Sequence, residues 1–151
     1  MTGLYFEEFS VGQKIETVGR TLSEDAIFTF AGLTGDFNQI HTDAEFSRRT
    51  QFGQRIAHGL LALSIATGLI MRTGLLEGTV LAFREINEWK FIKPFFIGDT
   101  IYAELNVTET KPLPRIGGGA LNAAIAVKNQ SGEVCQRGSL NLLVLSKPKE
   151  K

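Results

Sequence analysis

This 151-residue chain has one cysteine and two histidines, and neither sign of charge is in excess. The lone Cys135 excludes an internal disulfide and fits a reducing compartment, where it is expected to act as a small buried hydrophobe in a strand. With 16 basic against 16 acidic residues, no global field draws the chain to nucleic acid or to an anionic membrane. Long hydrophobic runs are missing too. The longest, Leu60 to Met71, is broken by Ser64, Thr67 and Gly68, and it falls well short of the roughly 20 residues of a membrane span. The opening MTGLYFEEFS has no basic segment followed by a long apolar stretch, so it does not read as a secretory signal. A cytoplasmic protein is expected. No internal repeat interrupts the sequence, and one domain over residues 1–151 would bury roughly 68 to 70% of the surface its unfolded chain exposes.

What is present falls into an α-helical half and a β half. After an extended start around Tyr5 to Thr17, Thr21, Ser23, Glu24 and Asp25 supply caps and first-turn acids for a helix that should stop at Gly35. Asp36 to His41 follows as a turn. Asp43 then caps a short helix predicted through Phe46 to Phe52, with Gly53 as its stop. The stretch Leu60 to Met71 has nine apolar residues in twelve, too many for a one-sided pattern, so a sheet or a partner must surround it. From Thr79 the period becomes two, as in Ile101, Ala103, Leu105 and Val107, then Leu121 to Val127 and Val134 to Val144, with turns at Gly98-Asp99 and Asn129 to Gly132. An antiparallel meander is predicted. Lys111 to Arg115 with Gly117 to Gly119 reads as a flexible loop, and Lys147 to Lys151 as a frayed tail. The fold class is α+β, an antiparallel sheet wrapped around a central apolar helix, which is the order of the hot-dog fold. Such a sheet leaves edges to cover, so a homodimer is expected.

A carboxylate, an amide and an imidazole crowd into Asp36-Phe37-Asn38-Gln39-Ile40-His41, just past a helix end. Asp36 and His41 could hold a water between them. The second histidine, His58, heads His58-Gly59 at the start of the apolar helix, where a backbone N–H can meet developing negative charge. The histidines lie seventeen positions apart and, with one cysteine, give no recognised ligand spacing, so no metal is expected. A serine-hydrolase elbow and a nucleotide fingerprint are both absent.

These residues resemble the MaoC-like hydratases and dehydratases, which include the (R)-specific enoyl-CoA hydratases. The resemblance spans nearly the whole chain. It is carried by Gly35 to Asp43, Phe46 and Ile56 to Leu60, with weaker support from Tyr5 to Phe9, Val11 to Gln13, Phe91 to Pro94 and Gly98 to Thr100. Gln39 departs from it, standing where the family usually has proline. The resemblance implies a lyase that reversibly adds water to a trans-2-enoyl thioester, giving a (3R)-hydroxyacyl thioester. A base must deprotonate the water and the α-carbon must gain a proton. Asp36 and His41 then share these two proton transfers, with Asp36 the preferred base and the division between them left open by the sequence, and Gly59 N–H is the donor to the thioester oxygen, with glycine letting the thioester approach closely. Asn38 would orient the pair, Thr67 or the nearby Ser64 would add a hydroxyl, and His58 would be structural. The substrate is an acyl-CoA or acyl carrier protein thioester, with no separate cofactor. Arg48, Arg49, Arg55, Lys90 and Lys93 are the basic residues available to coenzyme A. Competing readings are an acyl-CoA thioesterase on the same fold and a non-catalytic acyl-CoA-binding or regulatory domain.

Overall fold

The computed structural model describes residues 3–149, and its helices begin where capping side chains stand. Helix α1, Glu24–Thr34, starts with Ser23 Oγ accepting the Ala26 N–H at 3.1 Å, and it stops at Gly35, whose φ of 79° is left-handed. The expected turn at Asp36 to His41 is half helical. Asn38 Oδ1 accepts the Ile40 N–H at 3.2 Å and starts α2, Gln39–Thr42, so His41 sits on a helical turn. Helix α3, Ala44–Arg48, is capped by Asp43 but ends well short of Phe52. There the Thr50 hydroxyl donates to the Ser47 carbonyl at 2.7 Å, competing with the backbone for that acceptor. Helix α4, Gly59–Arg72, carries the apolar run.

The expected extended start is a 3-10 turn, Phe6–Glu8, followed by the short strands β1, Lys14–Glu16, and β2, Arg20–Thr21. Four long strands follow: β3, Val80–Phe91; β4, Thr100–Leu113; β5, Gly118–Lys128; and β6, Val134–Leu145. All pairings are antiparallel, but the order β1-β4-β5-β6-β3 is not a simple meander, because β3 pairs with β6 at the far edge. The chain from Ile92 to Asp99 therefore crosses the sheet end. On the way it buries Phe95 and bridges to the segment before α4, where Ala57 N–H donates to Phe95 C=O at 2.8 Å.

The glycine loop is also corrected. Pro112 pairs with Gly119 and Leu113 with Gly118, so β4 and β5 run on almost to the hairpin tip. Glycine is used there for space: a Cβ on Gly119 would lie 2.3 Å from the Phe6 ring, and one on Gly118 would lie 2.0 Å from the Val144 carbonyl oxygen. In the tail, Lys147 is tied down by its N–H to Glu7 at 3.1 Å and its ammonium to Glu8 at 3.0 Å, while residues 150 and 151 lie outside the described residues.

The core follows the predicted alternation. Ile101, Ala103, Leu105 and Val107 of β4, Leu121 to Val127 of β5 and Leu140 to Val144 of β6 pack with Leu61, Ala62, Ile65, Ala66, Leu69 and Ile70 of α4. Cys135 is buried among them, and that burial pushes its thiol pKa up. Helix α4 is not enclosed all round: Leu60, Ser64, Gly68 and Met71 form one exposed stripe. The outer edge of β3 is open too, with Leu81, Phe83, Ile86 and Phe91 exposed. No described helix is long and apolar enough to cross a membrane.

Candidate active site

Asp36 follows directly from the helix stop. Gly35 turns the chain, and the Asn38 backbone N–H then donates to Asp36 Oδ1 at 3.2 Å, holding the carboxylate over the turn. Two local bonds tie Asn38 to both residues: its N–H donates to Asp36, and its side chain caps the helical turn that carries His41. Gln39 is the first residue of that turn, the position where proline fits a helix best, so its departure from proline leaves the turn intact.

His41 is buried and its Nδ1 lies 2.7 Å from the Ile56 carbonyl oxygen. A carbonyl only accepts, so neutral His41 carries its proton on Nδ1 and keeps Nε2 as a free acceptor. Burial lowers the His41 pKa below the ordinary histidine value, with the neighbouring His58 adding to the effect; the bond to Ile56 and the charge of Asp36 act the other way. The burial effect is the largest, and it favours the neutral base. Ile56 is itself pinned to α2 by its N–H to Ile40 C=O at 3.1 Å, which fixes the acceptor that fixes the ring.

His58 joins the two halves of the site. Its ring stacks on His41 with centroids 3.8 Å apart and lies against Phe30 at 4.9 Å, while Nε2 donates to the Asp36 carbonyl oxygen at 2.9 Å. Its Nδ1 is buried with no partner among the described residues. One ligand atom from each of Asp36, His41 and His58 falls within 4.8 Å of the others, a set that could hold a cation even though no ligand spacing shows in the sequence.

Next in the chain, Gly59 opens α4 beside a cleft of about 510 Å³. Its lining includes His41, Phe52, Leu60, Phe91 and Gln136, so the wall is largely apolar with few polar groups. A Cβ on Gly59 would come within 2.7 Å of the Phe91 ring, so the ring occupies the space that glycine leaves open. The helix hydroxyls stand apart from this cleft. Ser64 donates to Leu60 C=O and Thr67 to Ser64 C=O, both at 2.8 Å, and neither lines it. Of the basic residues, Lys93 lines the cleft and pairs with Glu133, while Lys90 lines a trough across the sheet. Arg48 pairs with Glu45 and Arg55 with Glu24.

Sequence reading missed Phe52, Phe91 and Gln136. For Gln136 a signal existed. It shares the even-numbered parity of Leu140, Leu142 and Val144, which puts a polar amide on the core face of β6.

The pattern of the MaoC like domain matches residues 7–128. The chain is 33% identical over 108 residues to a Rhodospirillum rubrum (R)-specific enoyl-CoA hydratase, a match covering 72% of each protein. It is 38% identical over 101 residues to Protein MaoC of Klebsiella aerogenes, of whose length the match spans 30%. Among solved structures, a monoamine oxidase regulatory protein from Archaeoglobus fulgius superposes with a TM-score of 0.90 at 40% identity, covering 98% of both chains. A Mycobacterium tuberculosis protein with a double hot-dog fold superposes at 0.85 and 21% identity, covering 99% of this chain and 46% of its own, which shows the shared fold. The chain belongs to the MaoC-like dehydratase family and has its hot-dog fold.

Proposed function

We propose that the protein is a homodimeric hydro-lyase that hydrates trans-2-enoyl-CoA to the (3R)-hydroxyacyl thioester, or runs the reverse dehydration. The observation that carries this reading is that Asp36 and His41 bring side-chain atoms within 4.8 Å of each other beside a cleft lined by the head of α4, with His41 Nδ1 held by the Ile56 carbonyl. A water donates one O–H to the Asp36 carboxylate and the other to His41 Nε2. Asp36 removes a proton as the oxygen adds to the β-carbon, and the same proton returns to the α-carbon as the enolate collapses. One water is consumed, its hydroxyl bound to the β-carbon and its remaining hydrogen to the α-carbon. Gly59 N–H stabilises the thioester oxygen while it carries negative charge. Lys93 is the basic residue best placed to meet a phosphate of coenzyme A, because it alone of the five lines this cleft.

The dimer belongs to the same reading. Leu33 next to the turn is 83% exposed, Phe37 within it 55% and Leu60 after Gly59 60%, and among the described residues the outer β3 edge has no strand partner. A second copy covering these surfaces would shield the site from bulk water. The likeness to a protein described as regulatory favours one second reading, an acyl-CoA-binding domain without turnover.

Crotonyl-CoA separates these readings. Loss of enoyl absorbance without thiol release, giving an (R)-product and unaffected by EDTA, is the expected result. Thiol release alone would indicate a thioesterase, and binding without either change would indicate the regulatory reading.

A further inference from the structure

We infer that Gln136 is a positioning residue for Gly59, clamping the oxyanion donor of the proposed hydration and itself held by Trp89; the inference rests on the hydratase reading. Gln136 lies on β6 and is 2% exposed. Its Nε2 donates to the Gly59 carbonyl oxygen at 2.9 Å, and its Oε1 accepts from Trp89 Nε1 at 3.2 Å. The amide can stand only one way round. An indole N–H only donates and a backbone carbonyl only accepts, so both neighbours demand the same orientation.

This clamp acts on the residue that needs it most. Glycine has no side chain to hold its peptide groups, and the Phe91 ring rests where a Cβ on Gly59 would stand. Gln136 grips the carbonyl of the residue whose N–H must point at the thioester oxygen. Trp89 is equally fixed: a Cβ on Gly138 would lie 2.6 Å from its ring, so the indole rests directly on the β6 backbone. Next to it, Glu88 takes a φ of 50° at an irregularity in the β3 pairing, a conformation seldom adopted outside glycine. That irregularity falls between Asn87 and Lys90, the stretch that contains Trp89. Gln136 also lines the cleft together with Gly59 and Phe91. The chain Trp89 to Gln136 to Gly59 therefore links the edge strand β3 to the head of α4.

Three variants test the clamp in the full-length protein, with folding followed by circular dichroism. Gln136→Met keeps the shape but removes the donor; kcat on crotonyl-CoA should fall on the order of tenfold while KM changes little, the pattern of an interaction that matters most in the transition state. Gln136→Glu adds a readout that a purely structural role would not move. An ionised carboxylate in place of the amide cannot donate to Gly59 C=O but a protonated one can, so the ratio of variant to wild-type kcat should rise as pH falls. Trp89→Phe should lower kcat in the same direction by a smaller factor, and it carries the test if the Gln136→Met protein does not fold. A folded Gln136→Met or Trp89→Phe protein with kcat within twofold of wild type would overturn the inference.

The clamp is also read without turnover, from the amide resonances of Gly59 and Leu60 by NMR. In Gln136→Met they should shift or broaden, and unchanged resonances would overturn the clamp. If wild type hydrates no enoyl-CoA, the hydratase reading fails, and this measurement still decides whether the clamp exists.

Discussion

Asp36 and His41 reach the site within six consecutive residues, whereas the surroundings of Gly59 come from β3 and β6, with Gln136 lying 77 positions away. The first half is a piece of local backbone chemistry: a left-handed glycine, an Asx turn and a capped helical turn aim the two side chains. The second half is held by packing, a ring over a glycine and a buried amide between two elements. A turn can keep its geometry under change elsewhere. A packed frame depends on every element that builds it, so the two halves should fail in different ways.

The largest effects should come from the local half. Asp36→Asn and His41→Ala should each lower kcat by about a hundredfold to ten-thousandfold, and because Asp36 is exposed its substitution should leave the melting temperature close to wild type. Hydration unchanged in a folded protein of either variant would remove that residue from the site. Gly59→Val comes next and strikes the packed half. Losing the use of one oxyanion donor costs about 2.7 to 4 kcal/mol, and here the new Cβ also meets Phe91, so turnover and stability should fall together. Adding Phe91→Ala should restore stability and leave turnover low. Recovery of both would mean that the glycine serves only the ring.

The acidity of His41 gives a third contrast. Burial holds its folded pKa below the unfolded value of about 6.5. Its contribution to stability is therefore present above about pH 6.5 and is lost as pH falls through the depressed folded value. The part of the acid limb of kcat/KM that His41 supplies should likewise lie below about pH 6.5, and His41→Ala should remove that part. Two smaller effects complete the series. Asn38→Ala removes the cap of α2 and should cost about 0.5 to 2 kcal/mol, with turnover falling because that cap supports the turn carrying His41. Gln39→Pro fits the first helical position and should stabilise by about 0.4 to 1 kcal/mol, with activity unchanged.

The same contrast explains what could be read in advance. Residues that act through their own neighbours were visible: Ser23 and Asp43 as caps, Gly35 as a stop, and the alternation of β4 as a buried face. The crowding of Asp36 and His41 in one turn was visible for the same reason. What escaped depended on pairing across the chain. The placement of β3 beside β6 is decided by the crossing from Ile92 to Asp99, which has no periodicity of its own to announce it. Gly118 and Gly119 looked like a flexible loop, because the Phe6 ring and Val144 carbonyl that require them lie far away in sequence. The third member of the histidine cluster was hidden likewise, since His58 meets Asp36 and His41 only once α4 is seated.

The bond from His58 Nε2 to the Asp36 carbonyl makes the site a ruler. His58 precedes Gly59 directly, so the group that would activate water and the N–H that would receive negative charge are spaced by one hydrogen bond and one peptide link. In the hydratase reading that span must match the distance from the β-carbon to the thioester oxygen. Enoyl thioesters whose double bond lies one position further from the sulfur could enter the same cleft, but their reacting carbon would lie beyond the mark. Positional selectivity would then follow from the tether itself, whatever the length of the acyl chain.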